Sequence, residues 1–233
     1  MIVILLYLQT IMKNLQIHIE VSPKLFLKNP DSTELGRNIV HHSIEMINEL
    51  GFELFTFKKL GERIDSPESS IYRYFENKHT LLIYLMSWYW SWIEYQIVFA
   101  TTNIESALEK LKKAINILTQ PTSVDQSTSH INEVLLSKII ITESIKAYHT
   151  KDVDVENKKG YFQTYKKVVQ RVSNLVLEVN NSFDYPHMLV STVIEGAHQQ
   201  KYFAEHLPAL TDIKKGKDAI SEFYTKMVVE VIK

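Results

Sequence analysis

The chain has 233 residues, enough for one large domain or for a small domain joined to a larger one. Apolar residues make up 45% of it, glycine and proline number six each, and cysteine is absent. That composition excludes a disulfide scaffold and any cysteine zinc site, and it favours long helices over a turn-rich β architecture. The formal net charge of -1 carries no nucleic-acid signal for the chain as a whole, and the lack of cysteine suits the cytoplasm.

Residues 1–30 are expected to form an N-terminal arm. Met1 to Leu8 (MIVILLYL) is too short to span a membrane and has neither a basic leader nor a small-residue cleavage site, so no membrane partner is expected. Met12-Lys13 is the expected natural start, which would leave residues 1–11 outside the natural protein. The competing reading is a hydrophobic arm packed on the body. Asn14 to Phe26 alternate loosely and predict an extended segment with a short strand. Asn29-Pro30 is a second break. Thr33 or Ser32 then caps a helix that Gly51 ends. Thr56 caps a second helix, Phe57 to Arg63, and Pro67 opens a third that runs to about Tyr74.

Three short helices, the last two joined by a tight turn, are the spacing of a helix-turn-helix, which sets its second helix in the major groove of DNA. Ile71 and Phe75 would hold the unit together, while Glu68, Ser69, Tyr72 and Arg73 face outward. From there the pattern is helical throughout: Thr80 to Phe99, Ile104–Leu118, Ser129–Tyr148, Glu156–Val179, Pro186–Leu207 and Asp212–Val231.

The second helix and the run SSIYRYFENKHTLL, with Tyr72 and Phe75 three apart before Asn77-Lys78 and a Leu-Leu pair, resemble the TetR family of bacterial transcriptional regulators. The resemblance is concentrated in Glu34 to Leu82; the later helices agree in number and length only. It implies a homodimer on double-stranded DNA, with a small-molecule effector, of unknown identity, bound in the larger domain. Carried over by position, it implies DNA contacts from Thr56 and Lys58, from Glu68, Ser69 and Ser70, from Tyr72 and Tyr74, and from Lys78; Arg73 is added for its charge. The turn Ile64-Asp65-Ser66-Pro67 departs from the family's alanine-glycine-valine-serine type, although Asp65 tolerates a left-handed backbone better than most residues. The charge balance is an objection, because residues 1–80 hold nine Lys/Arg and ten Asp/Glu. Lys58, Arg73 and Lys78 can equally be solvated side chains of a helical domain.

The aromatic run Trp88-Tyr89-Trp90-Ser91-Trp92-Ile93-Glu94-Tyr95 has two readings. It is a core helix joining two domains, or Trp88, Trp92, Glu94 and Tyr95 line an apolar ligand pocket. Val193, Ala197, Phe223 and Met227 on the last two helices would form a four-helix dimer interface, as the resemblance implies; without it they are intrachain core. Glu195 and His198 share a helix face, but a di-iron bundle needs that pair twice, and no second Glu-x-x-His lies within a predicted helix. Adjacent His41 and His42 are expected to point to different faces. No metal and no cofactor is assigned, and no serine–histidine–acid, phosphate-loop or dinucleotide motif is present.

The expectation is therefore an all-α protein. Residues 31–80 form a three-helix helix-turn-helix DNA-binding domain, and 81–233 a larger helical domain for ligand binding and dimerisation. It acts as a cytoplasmic, ligand-responsive regulator, more a repressor than an activator, on a palindromic operator. The alternative is a helical interaction protein that kept the fold and lost operator binding. A di-metal enzyme is a third class, which would need carboxylates converging inside the bundle.

Overall fold

The computed structural model describes residues 19–123, 130–213 and 218–233, so the first residues of the arm, including both possible starts, lie outside it. Every regular element among the described residues is helical. Helices α1 (Glu34–Leu50), α2 (Phe57–Arg63) and α3 (Glu68–Ile71) form the N-terminal unit. Helix α4 (Lys78–Thr101) leads into a larger bundle of α5 (Ala107–Thr119), α6 (Glu133–Glu143), α7 (Ile145–Tyr148), α8 (Val153–Lys159), α9 (Gln163–Val179), α10 (Pro186–His206) and α11 (Ala219–Val231).

The caps follow local chemistry. The Thr33 hydroxyl accepts from the Gly36 amide at 3.0 Å, and the Thr56 hydroxyl from Lys59 at 3.2 Å. Asn77 caps α4 through its side-chain carbonyl, 2.8 Å from the Thr80 amide. Gly51 stops α1 at φ 77°. The described part of the arm holds no strand; prolines instead start two short 3-10 turns, Pro23–Leu25 and Pro30–Ser32. Leu25 is fully buried there, and the Leu27 amide donates to the Tyr74 carbonyl at 2.7 Å.

Two helices expected to be continuous are interrupted. Ser144 separates α6 from α7, and Gly160, at φ 87°, separates α8 from α9. The expected start at Ser129 lies outside the described residues; α6 begins after its cap Asn132. The final helix also starts later than expected, after its cap Asp218.

Helix α4 organises the whole. Thr80 to Trp90 are all buried, because α5, α6, α9 and the turn Pro23–Leu25 surround it. A helix apolar on nearly every side has only such a surrounded place to go. Each large side chain buried there contributes about 1.5–3 kcal/mol. α4 crosses the expected domain border near residue 80.

Candidate nucleic-acid interface

Phe57, Leu60, Ile71 and Phe75 are buried and hold α2 and α3 together. The turn between them is tight for two reasons. Asp65 adopts a left-handed φ of 49°, as its side chain allows. Gly61 lets the chain return closely: a Cβ there would lie 2.6 Å from the Ser66 carbonyl oxygen. The third helix is shorter than expected, closing after Ile71 in successive turns, with the Tyr74 amide donating to Ile71 O at 2.8 Å.

On the outer side of this unit, Thr56, Lys58, Ser69, Tyr72 and Arg73 are exposed, and Glu68 and Ser70 partly so. Tyr72 does two things at once. Its ring packs edge-on against Phe57 at 5.1 Å, while 47% of the residue remains exposed. Burial and a hydrogen bond to Glu68 raise its hydroxyl pKa. The Glu68 carboxylate is thereby held by a donor one helical turn away.

Two expected contacts have other duties. Tyr74 is buried, and its hydroxyl lies 2.7 Å from that of Thr33. Burial raises its pKa, but Thr33 and the nearby Lys28 and Arg73 outweigh this, and the net shift is downward. Tyr74 therefore clamps the third helix to the start of α1 instead of facing outward. Lys78 donates to the carbonyls of Phe52, Glu53 and Phe55 at 2.9, 3.0 and 3.2 Å, and its ammonium lies 4.7 Å from the Phe52 ring centroid. An ammonium has three N–H donors, and all three are engaged. Lys78 is a clasp on the α1–α2 connection and not a free phosphate anchor. Arg63 is tied to Glu49, and Lys59 to the Leu54 carbonyl at 2.8 Å. Lys58 and Arg73 are the cations of this face that make no hydrogen bond or ion pair among the described residues.

Residues 39–85 match the family model for bacterial regulatory proteins of the tetR family. This segment is a tetR-family domain. No curated protein sequence matches the chain. Among solved structures, AibR in complex with isovaleryl coenzyme A and operator DNA aligns with a TM-score of 0.58 at 14% identity, over 82% of this chain and 97% of that one. The fatty acid degradation regulator FadR from Bacillus halodurans aligns at 0.55 and 14%, over 90% and 96%. The superantigen PfiT aligns at 0.55 and 12%, over 87% and 97%. At these identities the similarity establishes the fold: helix-turn-helix-like helices at the N-terminus and a larger helical bundle behind them.

The other expected sites come apart in the structure. Trp88 and Trp92 are buried and stacked at 6.4 Å within the core. Glu94 lies elsewhere, paired with Arg171 at 2.8 Å, and with Tyr95 it borders an outer cleft against the arm residues 19–24. These four residues do not line one pocket, because aromatic side chains at every turn point in all directions and the tryptophans are enclosed by α5 and α9. Val193 and Ala197 are fully buried inside the chain. Gly196 beside them admits Tyr224, whose hydroxyl would lie 2.2 Å from an added Cβ; the close approach serves α10 against α11 of the same chain. Phe223 is 60% exposed, Met227 partly buried, and Met188 exposed on α10.

A polar junction between tetR-family domain and bundle was not legible in advance. The Glu143 carboxylate accepts from the Phe52 amide at 3.2 Å and pairs with Lys146 at 2.8 Å, and Lys146 reaches Glu53 at 3.2 Å. Asn48 donates to the Leu135 carbonyl at 2.8 Å. His79 contacts the buried Glu156 at 2.8 Å, and His130 contacts Asp31 at 3.0 Å. Beside this junction a groove of about 640 Å³ opens, bordered by Asn48, Lys138, Glu143, Lys146, Lys201 and Tyr202. Burial lowers the Lys201 pKa to about 8, with Lys201 donating to the Gln120 carbonyl at 2.9 Å. His41 and His42, expected on different faces, have ring centroids 5.0 Å apart and both reach Glu45.

Proposed function

We propose that this chain is a ligand-responsive transcriptional regulator that binds a palindromic operator as a homodimer and represses by occupying a promoter. The observation that carries the reading is the two-sided helix-turn-helix. Phe57, Ile71 and Phe75 are buried, while Lys58 and Arg73, which make no hydrogen bond or ion pair among the described residues, are exposed beside Thr56, Ser69 and Tyr72. Lysine and arginine supply phosphate attraction, and hydroxyls at the third helix fix its register in the groove. In this reading residues 31–80 bind DNA, and 81–233 bind effector and partner.

The dimer forms through the outer faces of α10 and α11, centred on Met188, Phe223 and Met227. AibR was solved with a coenzyme A thioester as well as with operator DNA. By analogy, an anionic effector suits the groove beside the junction, where Lys138 and Lys201 offer positive charge. Its binding shifts the population between two placements of α1–α3 relative to the bundle.

A second reading is an interaction protein that kept this fold. It draws on the acidic balance of residues 1–80, on Glu68 at the groove-facing side, and on PfiT, a superantigen of the same fold. Selection of genomic DNA fragments by the purified protein at low and physiological salt separates the two. A palindromic site lost on Arg73→Ala and Lys58→Ala supports the regulator; a folded dimer that enriches no site at either salt supports the interaction protein.

A further inference from the structure

The geometry points to a divalent-cation site of zinc type on α1, formed by His41, His42 and Glu45 at the junction with the bundle. These side chains offer one ligand atom each, all within 4.8 Å of one another. The helix explains their convergence. At about 100° per residue, His41 and His42 are not on opposite faces, and Glu45 falls about 40° beyond His41 and so between the two. The separations of Glu45 oxygens from His42 Nδ1 and His41 Nε2 are 2.8 and 3.5 Å. Donors about 2.0–2.1 Å from a tetrahedral zinc are about 3.3 Å apart, so small rotations bring all three onto one ion.

Hydrogen bonding selects the correct nitrogen. His41 Nδ1 lies 3.2 Å from the carbonyl oxygen of His130. A carbonyl only accepts, so Nδ1 carries the hydrogen, and in the neutral ring Nε2 is left as a lone pair facing the Glu45 carboxylate. A lone pair against a carboxylate is repulsive until a proton or a metal ion lies between them, so this position accepts a cation of either kind. A ligating imidazole whose other N–H donates to a backbone carbonyl is also the arrangement that orients histidine at metal centres.

Two imidazoles and one carboxylate, without thiolate, favour Zn²⁺, Ni²⁺ or Cu²⁺ over Mg²⁺ and Ca²⁺. Side-chain exposures of 41% for His41 and 32% for both His42 and Glu45 leave the ion an entry path and room for a water ligand. The His130 carbonyl belongs to the segment leading into α6. A cation on His41 Nε2 polarises its Nδ1–H and strengthens that bond between α1 and the bundle.

The test does not depend on DNA binding. The full chain, stripped with chelator and dialysed metal-free, is titrated calorimetrically with ZnCl₂, and Co²⁺ absorption is recorded in parallel. The expected result is one Zn²⁺ per chain, not displaced by excess Mg²⁺. Affinity should drop about tenfold or more in His42→Ala and in Glu45→Gln, and stay unchanged in His187→Ala, which lies on α10. Glu45→Gln keeps the side-chain volume, so it carries the test should His42→Ala fail to fold. Absence of Zn²⁺ uptake, or uptake that Glu45→Gln leaves unaltered, overturns the site.

Discussion

Replacing Lys78 distinguishes a clasp from a phosphate contact. Lys78→Met keeps most of the apolar stem and removes the three ammonium bonds to Phe52, Glu53 and Phe55. A hydrogen bond to a charged group contributes about 1.5–3 kcal/mol, but the Glu53 carbonyl is exposed and water replaces its donor. The stacking on Phe52 adds about 0.5–1 kcal/mol. Discounting for partial solvation of the other two carbonyls, the loss comes to about 2–3 kcal/mol. For a chain of this size about 1 kcal/mol moves the melting temperature by about 2–4 °C, so Lys78→Met should melt roughly 5–10 °C lower. The comparison is made by thermal and urea unfolding at a fixed chain concentration, because dimerisation shifts apparent stability. DNA affinity is measured beside it as a function of salt. A phosphate contact predicts the opposite pattern: unchanged stability and, with one Lys78 from each chain of the dimer, a salt slope shallower by about 1.8. That outcome would refute the clasp.

Arg73→Ala and Lys58→Ala should each leave the melting temperature within about 2 °C of wild type and, by removing one contact from each chain of the dimer, reduce the salt slope of DNA binding by about 2, measured by fluorescence anisotropy. His198 is buried against Trp90, and burial, with Lys201 nearby, pushes its pKa down to about 3. Below the unfolded pKa of about 6.5 the unfolded chain binds a proton that the folded chain refuses, so stability present at neutral pH is lost as pH falls toward 3. Between pH 7 and 5 urea unfolding should show a loss of about 2 kcal/mol from this group, absent in His198→Leu. Gly196→Ala drives a methyl into Tyr224 and should cost about 1–3 kcal/mol; pairing it with Tyr224→Phe should recover part of that loss, whereas strict additivity would show the two positions do not touch.

The helix-turn-helix was legible because its signals are local. Thr33, Thr56 and Gly51 mark helix ends by their own hydrogen bonds and backbone preferences, and the Tyr72–Phe75 spacing marks the third helix. The surroundings of each polar group were not legible. Whether Lys78 meets phosphate or three carbonyls depends on where the α1–α2 connection passes, and that is a tertiary fact. Val193 and Ala197 show the same limit. An apolar stripe says that a surface is covered, not by which chain, and here Tyr224 and the bundle core cover it. Glu143 and His130 were opaque for a further reason: each acts on a residue more than eighty positions away, and no periodicity reports such a pairing.

In the proposed regulator, the junction is the route by which effector binding reaches α1–α3. Between the N-terminal segment, up to the start of α4, and the bundle stand hydrogen bonds from Phe52 to Glu143, from Asn48 to Leu135 and from His41 to His130, the ion pair Lys146–Glu53, and close polar contacts His79–Glu156 and His130–Asp31. Packed apolar surfaces tolerate small sliding, whereas directional polar contacts are made or broken over about 1 Å. Glu143 is the most constrained, because it is buried and holds the backbone amide that follows the α1 cap while it also borders the groove. Glu143→Ala leaves that amide without its acceptor at a cost of about 1–3 kcal/mol. If effector acts through this contact, the variant should still bind DNA but lose most of its response to ligand. If it unfolds no earlier than wild type and responds normally, coupling runs through the tilt of α4 instead.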